Sequence, residues 1–254
     1  MARWSELPLG NRFVKGLRQR SALLVHRRIH RITHRLPVAL RPVEKGRVLV
    51  VAPHMDDEVI GPGGTLALHQ NAGSTIDVVF CARGATPEAD RTRRAEARAC
   101  GAFMEFAGLH YLDFPEGALS LHEPALADAL ASFVRRFEPD VVFCPFVADH
   151  HRDHTACSMA VASALGRAAF RGEVWAYEVW SPLWPNVAVD ISAVVDTKRR
   201  AIAFHESQTA GLHYVEGALG LNRYRGLRVY VDYAEAFFVG SLADFRAATD
   251  AMTL

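Results

Sequence analysis

The period of the apolar positions changes once along the chain, near residue 45. Between residues 12 and 36, Phe13, Val14, Leu17, Leu24, Val25, Ile29, Ile32 and Leu36 recur at helical spacing among arginines and histidines, which predicts an amphipathic helix. Pro37 and Pro42 interrupt that pattern and set a boundary at 43/44. From Arg47 onward, short apolar runs alternate with longer amphipathic stretches. Strands are predicted over Val48–Ala52, Thr75–Cys81, His110–Phe114, Asp140–Pro145 and Val174–Trp180. Helices are predicted over residues 63–71, Pro87–Gly108, Glu123–Phe137 and Thr155–Phe170, and within Ile191–His205. Further on, Leu227–Tyr233 reads as a strand and Ser241–Ala251 as a helix.

Continuous apolar runs such as Val48–Ala52 suit strands buried on both faces. Their alternation with helices predicts an α/β fold, Rossmann-like, with a mainly parallel sheet and helices on both faces. The expected organisation is a basic helical extension over residues 1–43 followed by one α/β domain over 44–254.

Composition adds two constraints. Half of the 254 residues are hydrophobic and 22% are charged, which excludes a disordered chain. The net charge of +1 hides a division: of 29 basic and 28 acidic residues, ten basic and one acidic fall in residues 1–43, so the remainder is net negative. That leaves two readings of the basic helix 12–36. It either lies on an anionic membrane surface as a peripheral contact, or packs on the acidic domain or on a second subunit of an oligomer. The second is favoured because the acidic domain offers a complementary partner. A nucleic-acid partner is set aside, since no nucleic-acid-binding fold signature accompanies the arginines. The four cysteines form no CxxC pair, and no apolar run approaches the ~18–20 residues of a membrane span, so a reduced, cytoplasmic chain is expected.

The candidate chemistry sits at two strand ends. The run Val48–Ala52 leads into Pro53-His54-Met55-Asp56-Asp57-Glu58, and Asp140–Pro145 leads into a loop ending His150-His151-Arg152-Asp153-His154. In open α/β sheets ligands bind beyond the carboxyl ends of the strands. His54 and Asp57, three positions apart, can turn toward one point that His154 completes. Two imidazoles and a carboxylate suit zinc and leave a coordination position open, as catalytic sites require. Iron or cobalt as Fe2+ or Co2+ fits the same donors.

These residues also resemble a known family. Ala52-Pro53-His54-Met55-Asp56-Asp57-Glu58 with Gly61-Pro62-Gly63-Gly64-Thr65 is similar to the (P/A)HPDDE…GxGGT signature of PIG-L/LmbE-like deacetylases, and His151-Arg152-Asp153-His154 to their HPDH signature. Arg93-Arg94-Ala95-Glu96-Ala97 resembles their RxxEA stretch and Ser207-Gln208 their late SQ element. Met55, Pro62 and Arg152 depart from the usual residues without removing a ligand or base.

The resemblance implies a zinc-dependent enzyme that removes N-acetyl groups from N-acetylglucosamine units, free, lipid-linked or within a natural product. It implies metal ligation by His54, Asp57 and His154, and Asp56 as general base. It further implies a protonated His151 as donor to the developing oxyanion, Asp153 holding the tautomer and charge of His151, and Arg93 facing substrate. Glu58 is expected to support its loop. The glycines at 61, 63 and 64 are expected to permit tight packing at a helix start, a phosphate cradle being the alternative. Trp180 and Trp184 are candidates for a sugar-stacking rim, and Trp175 for the core. Two other functions stay open: an amidase acting on a thiol-sugar conjugate, and a carbohydrate-binding protein without turnover.

Overall fold

The structure is a computed structural model that describes residues 38–252 apart from residues 210 and 212. The expected helix over residues 12–36 lies outside the described residues. A compact unit begins at Val38, and an eight-stranded sheet forms its centre. In chain order the strands are β1 (Ala39–Leu40), β2 (Arg47–Ala52), β3 (Thr75–Arg83), β4 (Gly108–Pro115), β5 (Val141–Pro145), β6 (Glu173–Tyr177), β7 (Val187–Asp190) and β8 (Ala234–Gly240). The helices are α1 (Asp57–Ile60), α2 (Gly63–Asn71), α3 (Pro87–Phe103), α4 (Glu123–Phe137), α5 (Arg152–Arg167), α6 (Val195–Ala203), α7 (Glu206–Thr209), α8 (Tyr214–Val229) and α9 (Leu242–Met252).

The strands lie in the order β1-β7-β8-β6-β5-β2-β3-β4, and every pairing is parallel except those β8 makes with β6 and β7. The first long strand, β2, pairs with β3 on one side and β5 on the other, with Val48 opposite both Ile76 and Val141. The chain therefore reverses its direction of travel across the sheet between β2 and β5. A crevice opens at such a switch point beyond the carboxyl ends of the two strands.

Alternation along β2 shows why the sheet is covered twice. Val48, Val50 and Ala52 pack with Leu66, Ala97, Cys100 and Ile202 of α2, α3 and α6 on one face. Leu49 and Val51 pack with Leu126, Leu130, Val161 and Leu165 of α4 and α5 on the other. Side chains alternate across a strand, so an all-apolar strand needs an apolar layer on each side. All four cysteines are free and buried in these two layers.

Three expectations change. The helix from Pro87 stops at Phe103 rather than running to Gly108, because Gly101 lies close under Leu109, where a Cβ would come within 2.8 Å, and Glu105 turns the chain with φ of 52°. Leu227–Tyr233 is not a strand: it holds the end of α8, closed by Tyr230 at φ 62°. The strand is instead the following β8, inserted between β6 and β7. Ala39–Leu40 already pair with Val187–Ala188, so the sheet takes in residues ahead of the expected boundary. Arg41 then forks onto Glu173 at 3.1 and 3.2 Å and lies over Trp175.

β8 also carries Glu235, 1% exposed, whose two oxygens accept the backbone N–H groups of Gly64 and Thr65 at 2.7 Å each. Lys198, wholly buried, donates to Glu235 at 2.5 Å and to the Gly61 carbonyl at 2.9 Å. The free N–H groups at the start of α2 are thus satisfied by a protein carboxylate. The phosphate-cradle reading of the glycines is excluded for these amides. The glycines serve packing instead: a Cβ at Gly61 would meet the Tyr177 ring at 2.5 Å, and one at Gly64 would meet Ile191 at 2.8 Å.

Removing the cation from a buried pair strands its partner. Lys198→Met is expected to lower unfolding free energy in urea by about 3 kcal/mol, with little change in denaturant slope.

Candidate metal centre

The loops after β2 and β5 converge. Asp57 opens α1, and its Oδ2 accepts the His54 backbone N–H at 2.9 Å. The same oxygen lies 3.2 Å from His54 Nδ1 and 3.2 Å from His154 Nε2. One carboxylate oxygen therefore faces one nitrogen from each of the two imidazoles.

The outer nitrogens of both rings meet carboxylates too. His54 Nε2 is 3.1 Å from Asp153 Oδ2, and His154 Nδ1 is 3.4 Å from Asp149 Oδ2. A carboxylate behind a metal-facing imidazole fixes its orientation and raises its basicity. Asp149 also accepts the N–H groups of His151 and Trp180, which holds it in place. Its place behind His154 was not assigned from the sequence; an acid five residues before a candidate ligand was the available signal.

Asp153 corrects one expectation. Its carboxylate does not hold the His151 side chain but accepts from Gly117 N–H at 2.6 Å and Leu119 N–H at 3.1 Å while facing His54. His151 caps α5, its Nδ1 accepting the Asp153 backbone N–H at 3.2 Å. That contact leaves Nε2 to carry the proton of a neutral ring. Burial lowers the His151 pKa, and His54 and His154 lower it further against the pull of Asp153 and Asp57, so the expected imidazolium is disfavoured. The neutral tautomer still presents an N–H donor.

The electrostatics mark a place for positive charge. Burial alone would lower the pKa of His54, yet Asp153 and Asp57 outweigh it and hold the value at about 10. Burial likewise opposes protonation of His154, but Asp57 and Asp149 raise it to about 9. Asp57 is 2% exposed; burial would raise its pKa, but His154 and His54 drive it well below the carboxylate range. His154 is fully buried, and neither of its ring nitrogens makes a well-formed hydrogen bond. An orphaned buried imidazole beside a shared carboxylate oxygen fits a divalent cation, which would satisfy both. The ring nitrogens of His54, His151 and His154 also come within 4.8 Å of one another, but His151 is engaged as the helix cap.

Beside this set lies Asp56, 8% exposed, with its pKa raised to about 7 by burial and then by Asp57, against the pull of His205 and His54. Its backbone is unusual, with φ 156° and ψ −27°. A cleft of 110 Å3 opens over these groups, lined also by Ile60, Arg93, Glu116, Val179, Trp180, Gln208 and Tyr214. Arg93 forks onto Glu116, both bonds at 3.1 Å. Glu116 belongs to a third strand-end turn, after β4, and was missed because a single acid there carries no pattern.

Trp180 meets Tyr214 edge-on at 5.5 Å on the cleft wall. Trp175 is in the core, and Trp184 and Tyr224 are exposed away from the cleft lining. The departures from the family signatures are local: Met55 is 1% exposed in the core, and Arg152 is exposed at the first position of α5. His150 is exposed and donates its backbone N–H to Ser181 Oγ, outside the cluster.

Residues 49–165 match the PIG-L family, described as GlcNAc-PI de-N-acetylase. A 2'-N-acetylparomamine deacetylase from Streptomyces fradiae is 30% identical over 210 residues, covering 66% of this chain and 75% of the relative. The chain belongs to the PIG-L family. A diacetylchitobiose deacetylase from Thermococcus kodakarensis is 26% identical over 189 residues, covering 64% of this PIG-L chain and 70% of the relative. A conserved protein from Thermus thermophilus shares the architecture with a TM-score of 0.68 and 34% identity, covering 76% of this chain and 94% of that one. Among the described residues of this PIG-L protein, no helix is long and apolar enough to cross a membrane.

Stripping the metal with a chelator is expected to lower the melting temperature, and zinc is expected to restore it. Asp149→Asn should weaken metal affinity by about 10- to 100-fold, read by competition with a chromophoric chelator, while circular dichroism stays unchanged.

Proposed function

We propose that this chain is a zinc-dependent hydrolase that removes the N-acetyl group from an N-acetylglucosamine-type amino sugar. The observation that carries the reading is a buried carboxylate, Asp56, lining a cleft and adjacent to a donor set of two imidazoles and one aspartate. His54, Asp57 and His154 would hold the ion. A bound zinc supplies Lewis-acid polarisation of the acetyl carbonyl and makes water more acidic.

The chain's own groups do the rest. Asp56 accepts a proton from the water that attacks the amide carbon and returns it to the departing nitrogen. A base with a pKa near the working pH is suited to both transfers. His151 Nε2–H donates to the carbonyl oxygen as negative charge develops there. Asp153 and Asp149 keep the His54 and His154 rings oriented. Arg93, steadied by Glu116, contacts sugar hydroxyls, and Trp180 with Tyr214 offers an aromatic wall to the ring. The deacetylase relatives named above support the acetyl group as the part removed.

The test is acetate release from a panel of N-acetylated amino sugars: a chitobiose, an aminoglycoside intermediate and a thiol-sugar conjugate. Activity on the first two with a much lower rate on the third is expected. Asp56→Asn is expected to cut kcat by about 1,000-fold with metal content unchanged. Full activity in that variant would remove Asp56 from the role of base, and preference for the thiol conjugate would replace the substrate class.

A further inference from the structure

Glu58 directly follows the proposed ligand Asp57, yet its carboxylate faces away from the cation position. It is 1% exposed. Its Oε2 accepts the Asp56 backbone N–H at 2.9 Å, and its Oε1 lies at ion-pair distance, 3.1 Å, from Nε2 of His205, which is wholly buried and makes no well-formed hydrogen bond through either ring nitrogen. The peptide so held is the one with φ 156° and ψ −27° at Asp56. Such a conformation is strained and persists only where the surroundings over-determine it.

His205 comes from the segment after α6 that also builds the cleft. The backbone N–H and hydroxyl of Ser207 donate to Glu96 of α3 at 2.7 and 2.6 Å, and Gln208 lines the cleft. The base-bearing turn and the cleft wall are therefore joined through one buried acid–imidazole pair.

Cys100 approaches the same pair, and donor atoms of Glu58, Cys100 and His205 lie within 4.8 Å of one another. A second metal there is disfavoured. Cys100 Sγ donates to the Ala201 carbonyl at 3.5 Å, and burial raises its pKa, so it stands as a thiol. Glu58 Oε2 is already engaged by the Asp56 N–H.

We propose that Glu58 and His205 are positioning residues for deacetylation, clamping the Asp56 peptide in its strained geometry so that the Asp56 carboxylate faces the cleft. The inference rests on Asp56 being the base. It explains why the acid after Asp57 is buried although it reaches neither cation nor cleft. Loss of the clamp lets the turn relax, which displaces the base without touching the groups that bind sugar. The rate falls and substrate affinity does not.

The experiment uses the full chain and compares kcat, KM and metal content for Glu58→Ala, Glu58→Gln, His205→Gln and Cys100→Ala, with Asp56→Asn alongside. Glu58→Ala is expected to lower kcat by about 100-fold, the scale of a misplacement near 1 Å, with KM within about threefold. Glu58→Gln keeps an oxygen for the Asp56 N–H and is expected to recover to within about tenfold of the wild type, with His205→Gln similar. Cys100→Ala is expected to match the wild type, and every variant to keep its metal. Should Glu58→Ala not fold, Glu58→Gln and His205→Gln carry the comparison, and wild-type kcat in both overturns the clamp. So does a kcat loss that tracks metal loss, or removal of one metal equivalent by both Cys100→Ala and His205→Gln, which would make the cluster a metal site. An active Asp56→Asn would instead strike at the base itself.

Discussion

Asp57 is an ionised carboxylate almost sealed from water, and a buried anion persists only with positive charge or donors around it. Much of the site follows from meeting that demand. The backbone N–H of His54 and two imidazoles face its oxygen. Those imidazoles are wholly (His154) or partly (His54) withdrawn from water, and Asp153 and Asp149 face their second nitrogens. Asp153 in turn draws on the N–H groups of Gly117 and Leu119. The polar network thus extends outward from a single oxygen until it reaches backbone donors.

The sheet makes this network reachable. Parallel pairing of β2 with β5 sets their carboxyl ends side by side, so two loops about a hundred residues apart in sequence need travel only one strand spacing to meet. The two loops are held by different contacts. The loop after β2 passes at once into α1 and α2, whose start is pinned by Glu235 and Lys198. The loop after β5 is held by its own helix cap and by Asp149.

Much of this was legible in the residues. The apolar runs at 48–52 and 140–145 marked the two strands that matter, since burial on both faces leaves few other uses for such runs. The proposed ligands were legible as a joint pattern of imidazoles and acids after two core strands. What escaped is equally physical. Leu227–Tyr233 has the apolar content of a strand, but a residue's preference for a pleat is overridden when it ends a helix on which Gly226 and Tyr230 close the chain. β8 was missed because Glu235, its second residue, shortens the apolar run, and only the fold reveals that this acid answers the amides of α2. The role given to Asp153 failed for a different reason. The resemblance implied that it holds His151, whereas two positions apart at the start of a helix the side chains diverge, and Asp153 faces His54 instead.

The pairing of Glu235 with Gly64 spans 171 residues. A growing polypeptide releases His54, Asp57 and His154 from the ribosome well before the strand carrying Glu235. Until that strand slots between β6 and β7, the helix behind the loop after β2 lacks the Glu235 carboxylate at its start and Lys198 lacks the same partner. The residues proposed to hold the metal thus precede in the chain the segment that backs the loop after β2, and that segment lies between strands already laid down.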